Sequence, residues 1–427
     1  MVTNLPYGSP QAIKIQSAGL FAANMQRNTT MNRLTGKFPQ QSDAEQTIRK
    51  QSSNEMPIVR CMDLQKMAGD EITFDLINPM GGKPIMGSRN AEGQGRSMSF
   101  SQDRLRINQA RYPISAGDTM TQQRTPHQLR SLARTLGEAY MNRLQDQLSL
   151  VHMAGARGFH NNVEWAVPLA SDPDFASILV NPVRAPSRNR HFMSTGTGLE
   201  TVKAAASEIT MTTADVFNAD LVDSLRAQLD SMALAPSPIE FDGDKLAADS
   251  PLRVLLVSSD QFASFAQSTN YRTYLSNAIA RGQQAGNHPL FMGGDTALWN
   301  GILMVKMPKP IRFYAGNPIN WCASTTSETE TTTDLAPAAL GTGYAIDRAI
   351  LLGGQALAEA WGKHRKTGNP FFWSEKELDH DDKLELLVGA INGRSKVRFE
   401  VDHGNEKQIT DHGIIAIDTV VKLGVAA

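Results

Sequence analysis

Residues 124–157, RTPHQLRSLARTLGEAYMNRLQDQLSLVHMAGAR, read as one long helix, and the rest of the chain is organised on either side of it. Leu129, Leu132, Leu136, Tyr140, Leu144, Leu148 and Val151 recur in steps of three and four, which predicts a single apolar stripe. Arg130, Arg134, Glu138, Arg143 and Asp146 fall on the other side. Thr125 can cap the start, Pro126 suits the first helical position, and Gln128 sits where a capping-box partner reaches back. Gly155 and Gly158 mark the end. At 1.5 Å per residue such a helix runs roughly 40 Å, which suits a brace for something extended.

The 427 residues leave room for two or three core-forming units. A hydrophobic content of 41% fits a globular protein, and no apolar run reaches the length needed to cross a bilayer. The opening MVTNLPYGSPQAIK has no basic region followed by an apolar segment, so no secretory signal is expected and folding in a reducing cytosol is. Cys61 and Cys322 stand far apart without ligand spacing and are expected as two unpaired thiols. A formal net charge of −1 removes any global case for gripping nucleic acid.

Residues 1–60 are polar, with weak apolar clustering from Ile13 to Phe21, and seven Lys or Arg face three acids. So little apolar surface cannot offset the ordering entropy alone, which predicts either an arm that orders against a neighbour or a disordered tail. From Asp70 the pattern alternates. Ile72, Phe74 and Leu76 share one face of a strand, and a second strand starts at Met98 and Phe100 and continues through Leu105 and Ile107. The Gly-rich segment between them predicts a long projecting hairpin whose charges nearly balance, as suits pairing with a copy of itself. It lacks the Gly-Lys-Ser/Thr ending of a phosphate loop.

After the helix, residues 158–200 carry Pro168, Pro173, Pro182 and Pro186 and the basic run Arg184, Arg188, Arg190, and are expected as an irregular contact insert. Residues 214–361 read as an α/β unit. Leu221, Val222, Leu225, Leu229 and Met232 line one helix, and Arg253 to Val257 forms a buried strand. Ser259 and Asp260 can cap the next helix, with Phe262 and Phe265 facing inward, and Tyr271, Tyr274, Leu275 and Ala278 give another helical stripe. Asn300-Gly301 turns into the strand Ile302 to Lys306, Ile311 to Tyr314 follows, and Ser324 to Asp334 is expected as a solvated loop. Near the end, Leu384 to Ile391 and Lys396 to Val401 flank Asn392-Gly393, a hairpin signal, and Gly413 to Val421 gives a third strand. These strands are expected to pair with the early strands beside the helix.

Chemistry finds little support. Asp379-His380-Asp381-Asp382 lacks the alternate spacing and turning glycine of a hard-cation loop, and Asp242, Asp244 and Asp249 around Gly243 lack the closing glutamate. His403 and His412 sit in polar turns beside glycine. No nucleophile elbow or dinucleotide fingerprint occurs, so no catalytic, cofactor-binding or metal residue is assigned, no cofactor is expected and the chain is read as a non-enzyme. Two alternatives stay open: a nucleotide-binding or hydrolytic enzyme built on 214–361, with a deep polar pocket, and a monomeric adhesin or tail component.

The order of arm, projecting hairpin, long helix, α/β unit and returning strands resembles the major capsid proteins of tailed bacteriophages, with the Hong Kong 97-type α+β fold. The wording is similar, more narrowly, to the N-four-like podophage major capsid family. Carrying this are Met56-Pro57-Ile58-Val59, Asp63-Leu64, Gly69-Asp70, Pro84-Ile85-Met86-Gly87, Arg124, Leu129-Arg130 and Met153-Ala154-Gly155-Ala156-Arg157-Gly158. Pro289-Leu290-Phe291, Trp299-Asn300-Gly301, Lys396-Val397-Arg398-Phe399, Asp411-His412-Gly413 and Asp418 continue the series, so it spans about residues 56–421.

The resemblance implies an N-terminal arm over 1–62, an extended β-hairpin loop and its base over 63–116, and a peripheral domain with spine helix and insert over 117–200. It further implies an axial domain over 201–370 and returning peripheral strands over 371–427. The expected function is self-assembly into hexamers and pentamers of an icosahedral head around double-stranded DNA held without sequence-specific contact. Portal and scaffold proteins, and a decoration protein, are the other expected partners, with no membrane; the chain would be made in the host cytoplasm and reside in the virion.

Overall fold

One long helix lies between two sheets in this computed structural model, which describes residues 34–35, 55–61, 69–77, 84–87, 92–93, 95, 100–125, 128–161, 163–196, 198–201, 209–241, 251–267, 296–328, 330–380, 382–402 and 407–424. The helix spans Leu129–Ala154. It opens differently from expectation: Thr125 closes a separate short helix, Thr119–Arg124, whose start is capped by Asp118 accepting from the Thr121 N–H at 2.7 Å. Gln128 stands at the N-cap of the long helix without a side-chain capping bond, and Pro126 lies outside the described residues. Its end follows expectation. Gly155, at φ 67°, donates its N–H to the Val151 carbonyl at 3.0 Å, and a Cβ there would stand 2.5 Å from the Arg184 carbonyl oxygen.

The buried face is rotated from the predicted stripe. Ala133, Gly137, Met141, Leu144, Leu148 and Val151 turn inward, whereas Leu132 and Leu136 are 47% and 66% exposed. Close approach explains the difference. A Cβ on Gly137 would lie 2.8 Å from Val388 and 2.9 Å from Ile114, so the first turns press their backbone against the sheet and only small residues fit there. From Gln147 onward the helix is buried all round, Gln147, Ser149 and His152 included, and Gln145 is buried too.

A five-stranded sheet receives that helix. Lys383–Lys396 pairs antiparallel with Asn108–Asp118, with Phe371–Leu378 and with Leu357–Trp361, and Ile58–Cys61 adds parallel to the last of these. The return beside the helix therefore occurs, but without the predicted turn. Asn392-Gly393 lies in mid-strand, because a Cβ on residue 393 would stand 1.8 Å from the Arg106 carbonyl oxygen and only glycine admits that crossing backbone. Asn300-Gly301, in contrast, turns as expected between Thr296–Trp299 and Ile302–Lys306, with φ values of 47° and 76°. Ile58–Cys61, at the end of the stretch read as an arm, is buried in this body, and Leu34 is buried beside it through a Thr35–Ile58 bridge.

The second sheet has eight strands, in the order Leu199–Thr201, His191–Ser194, Ile414–Lys422, Tyr344–Leu352, Arg253–Val257, Ile302–Lys306 and Thr296–Trp299, with Arg312–Tyr314 also on Tyr344–Leu352. The closing strand Ile414–Lys422 thus lies in this sheet rather than beside the long helix. Ala219–Ser231 and Ser259–Ala266 cover one face through Leu221, Leu225, Phe262 and Phe265. The cap of the second helix is Ser258, one residue earlier than predicted, in a reciprocal box with Gln261.

Two further expectations change. The region 158–200 contains the buried strand His191–Ser194 and wraps the helix: Gln147 accepts from the Ala166 N–H at 2.6 Å, and His152 bonds the Leu179 carbonyl at 3.2 Å. Nearly half of the predicted loop 324–334 is strand, since Glu330–Leu335 pairs with Pro318–Cys322. The Tyr271–Ala278 stripe, the Ile13–Phe21 cluster and Met98 lie outside the described residues.

Candidate functional site

The hairpin is the feature that a solitary fold would not need. Glu71–Ile77 pairs antiparallel with Phe100–Arg106, from Glu71 opposite Arg106 to Ile77 opposite Phe100. Strand alternation then decides which side chains face the body. Ile72 and Leu105 bury against Val59, Ala358, Val397 and Phe399, and Phe74 packs partly on the same cluster. Phe100 falls on the opposite face from Phe74 and is 60% exposed, so it does not join this buried apolar side.

Polar bonds fix the hairpin base to its own body. Asp103 accepts from both terminal nitrogens of Arg184, each at 2.9 Å, and from the Arg398 N–H at 3.1 Å. Ser101 Oγ accepts from the Glu400 N–H at 2.9 Å. Asn181 accepts from the Arg106 N–H and donates to the Arg106 and Arg394 carbonyls, at 2.9, 2.9 and 3.0 Å. The basic run expected to make outside contacts is therefore inward: Arg184 holds the hairpin, Arg188 bonds the Ala323 carbonyl, and Arg190 is buried. Of the tip, Pro84–Gly87 is described and exposed, Met86 to 72%. Met120, Leu132 and Leu136 add exposed apolar side chains along the short helix and the outer face of the long one.

Four buried charge clusters bind the elements together. Arg348 reaches Asp418 at 2.7 and 2.9 Å and the Ala154 carbonyl at 3.0 Å, which ties the last turn of the long helix to the eight-stranded sheet. His191 Nε2 lies 2.7 Å from Asp418; burial lowers the pKa of this imidazole, although the Asp418 carboxylate opposes the shift. Arg312 reaches Asp347 at 2.7 and 2.8 Å and also bonds Asp260. Lys396 and Arg398 meet on Asp411 at 2.8 and 2.7 Å; burial opposes its charge, but the two cations hold this carboxyl well below the usual range. Glu359 is bonded by Arg60 at 2.7 Å and by Arg394, which also bonds Gln145. Burial alone would raise Glu359, yet Arg394 and Arg60 bring it down to about 2. Reading by motif overlooked these clusters, although the signal was present as single charges inside apolar strands: AIDRAILL holds Asp347 and Arg348, and IIAIDTVV holds Asp418.

The residues weighed for chemistry do not converge. Asp379 and His380 occupy a turn with φ values of 58° and 54°, Asp379 pairs with Lys383 at 2.8 Å, and Asp381 is outside the described residues. His412 meets Phe399 edge to face at 5.7 Å, while His403, Asp242, Asp244 and Asp249 lie outside the described residues. Cys61 and Cys322 are buried and not disulfide-bonded. Among the described residues, no group of three His, Cys, Asp or Glu could hold a metal ion, and no helix is long and apolar enough to cross a membrane. A cavity of about 390 Å³ lies between the long helix, Asn108–Tyr112 and Ile178–Val180, away from the α/β unit proposed for an enzyme.

A family profile described as phage capsid protein matches residues 4–423. The chain belongs to the phage capsid protein family. This capsid protein is also similar to solved structures over most of its length. The capsid of Ralstonia phage GP4 superposes with a TM-score of 0.65 at 24% identity, covering 100% of both chains. The Cyanophage Pam1 capsid gives 0.58 at 17% identity over 87% of this chain and 90% of that one. The head of Helicobacter pylori bacteriophage KHP40 gives 0.53 at 10% identity over 87% and 88%. No curated protein matches the sequence. The α+β fold is thus that of phage capsids, as the resemblance implied, and the capsid protein is a structural component of the virion shell, built by association of its copies. Nothing in these likenesses supports the enzyme alternative.

Proposed function

We propose that this capsid protein is the major shell subunit, and that its hairpin tip completes the fold of an adjacent copy in hexamers and pentamers of an icosahedral head. One observation carries the reading: the hairpin is bolted to its own body at Asp103, Ser101 and Asn181, yet beyond that base it presents Phe100, Ile85 and Met86 outward. A rigid base with an apolar, exposed extension is suited to reach a neighbour and is wasteful in a monomer. Many such contacts per subunit add through multivalency, so each can be weak.

In this reading residues 117–200 and the returning strands within 371–427 act as the peripheral part, residues 201–370 as the axial part, and residues 1–62 and 63–116 as arm and extended loop. The enclosed double-stranded DNA is held without base contacts, because a chain of net charge −1 releases few counterions on a polyanion. Synthesis in the host cytoplasm and help from portal, scaffold and decoration proteins complete the proposal. Deleting residues 79–96 tests it. A soluble, folded chain that forms no shells is expected, and closed particles in sedimentation would refute the role of the hairpin.

A further inference from the structure

The strand Phe371–Leu378 carries opposite charges at its two ends. Before it, residues 360–374 contain no carboxylate but include Lys363, Arg365 and Lys366, all exposed and without an ion-pair partner among the described residues. This turn is rigid. The His364 N–H bonds the Asn369 carbonyl at 3.0 Å, the Gly368 N–H bonds the His364 carbonyl at 2.8 Å, and the His364 ring stacks on Phe372 with centroids 4.3 Å apart. Gly368 has φ 72°, the left-handed conformation that the turn needs.

At the far end of the strand and just beyond it, Glu377, Asp379 and Asp382 are exposed beside two lysines, Lys376 and Lys383, with Asp118 opposite Lys383 in the sheet. The Thr119 N–H bonds the Asp382 carbonyl at 3.0 Å, so this turn too is fixed to the body. Eight strand residues at about 3.3 Å each hold the two turns about 26 Å apart, too far to neutralise each other within one chain.

We infer that the cationic turn carrying Lys363, Arg365 and Lys366 of one copy docks on the acidic end formed by Glu377, Asp379 and Asp382 of a second copy, head to tail, at the edge of the five-stranded sheet. The inference rests on the assembly reading and gives it a specific contact. Each copy carries both halves, so the contact is heterologous and propagates into rings when the rotation closes. Complementary charge on fixed turns sets partner orientation and encounter rate more than affinity, which suits shells built from many weak contacts. Packaged DNA is the competing occupant for the cationic turn, but it leaves the acidic turn, equally rigid and on the same strand, without a partner.

Charge reversal separates these cases. One variant carries Lys363→Glu, Arg365→Glu and Lys366→Glu; a second carries Glu377→Lys and Asp382→Lys, leaving Asp379 in place because its φ of 58° suits Asp better than Lys. Thermal melting and circular dichroism verify folding of each. The expected result is a loss of closed particles of at least tenfold for each reversal alone, with recovery when both sets are combined in one chain, and a wild-type yield that falls with added salt. Normal shells from either reversed chain would overturn the contact while leaving the assembly reading intact, and normal shells with weakened DNA retention would assign the cationic turn to DNA. Folded single reversals whose combination still fails would also overturn it. A wild-type chain that stays monomeric would sink the assembly reading itself, and this contact with it.

Discussion

At the scale of single residues, the interior is held by charges whose removal should be costly. Asp418→Asn leaves Arg348 buried without its carboxylate, and breaking one side of such a pair typically destabilises by about 3–5 kcal/mol. Chemical unfolding of the separate chains measures it, and a loss below about 1 kcal/mol would contradict the assignment. Gly393→Ala should be comparably severe, because its Cβ would stand 1.8 Å from the Arg106 carbonyl oxygen. If residue 393 sat in a solvent-exposed hairpin turn, the same change would cost little.

His152 supplies a pH prediction. Burial lowers its pKa to about 4, the Leu179 bond opposing and Arg394 reinforcing the shift, against an ordinary value of 6.5. Between these values the unfolded chain binds a proton that the folded chain does not, so stability falls as pH drops from 6.5 towards 4, by roughly 3 kcal/mol in all. Replacing His152 by Leu should flatten this part of the stability profile, and an unchanged slope would contradict the account. Glu359 adds a separate loss at lower pH, between its ordinary 4.5 and about 2.

At the scale of elements, the two faces of the long helix make opposite predictions. Leu144→Asp places a charge in the core and should abolish folding, whereas Leu136→Asp changes a side chain already 66% exposed and should leave the melting temperature within a few degrees while reducing shell yield. A collapse of the Leu136 variant would return that residue to the core. The existence of this helix, the Asn300-Gly301 hairpin, the capped helix at 258–266 and the pairing of Glu71–Ile77 with Phe100–Arg106 were all legible in the sequence, because each is a local pattern of period or turn chemistry. The rotated face and the straight run through Asn392-Gly393 were not. Both depend on what presses against a glycine, the Val388 and Ile114 side chains at Gly137 and the Arg106 backbone at Gly393, and that closeness exists only in three dimensions. Arg184 and Arg190 looked like a surface patch for the same reason, since their partners lie far away in sequence.

At the scale of the whole molecule, the body and the hairpin play different parts. The buried clusters at Arg348, Arg312, Asp411 and Glu359 join strands that are distant in the chain, which suits a subunit that must keep its shape while neighbours press on it. Exposed apolar side chains at Phe100 and Met86 on the hairpin, and at Leu132 and Leu136 on the outer face of the long helix, point away from that body. High-resolution electron microscopy of particles formed by the purified chain tests the central claim most directly. Closed shells in which the segment between Ile77 and Phe100 rests on an adjacent copy are predicted; monomers carrying that segment against their own body would contradict the account.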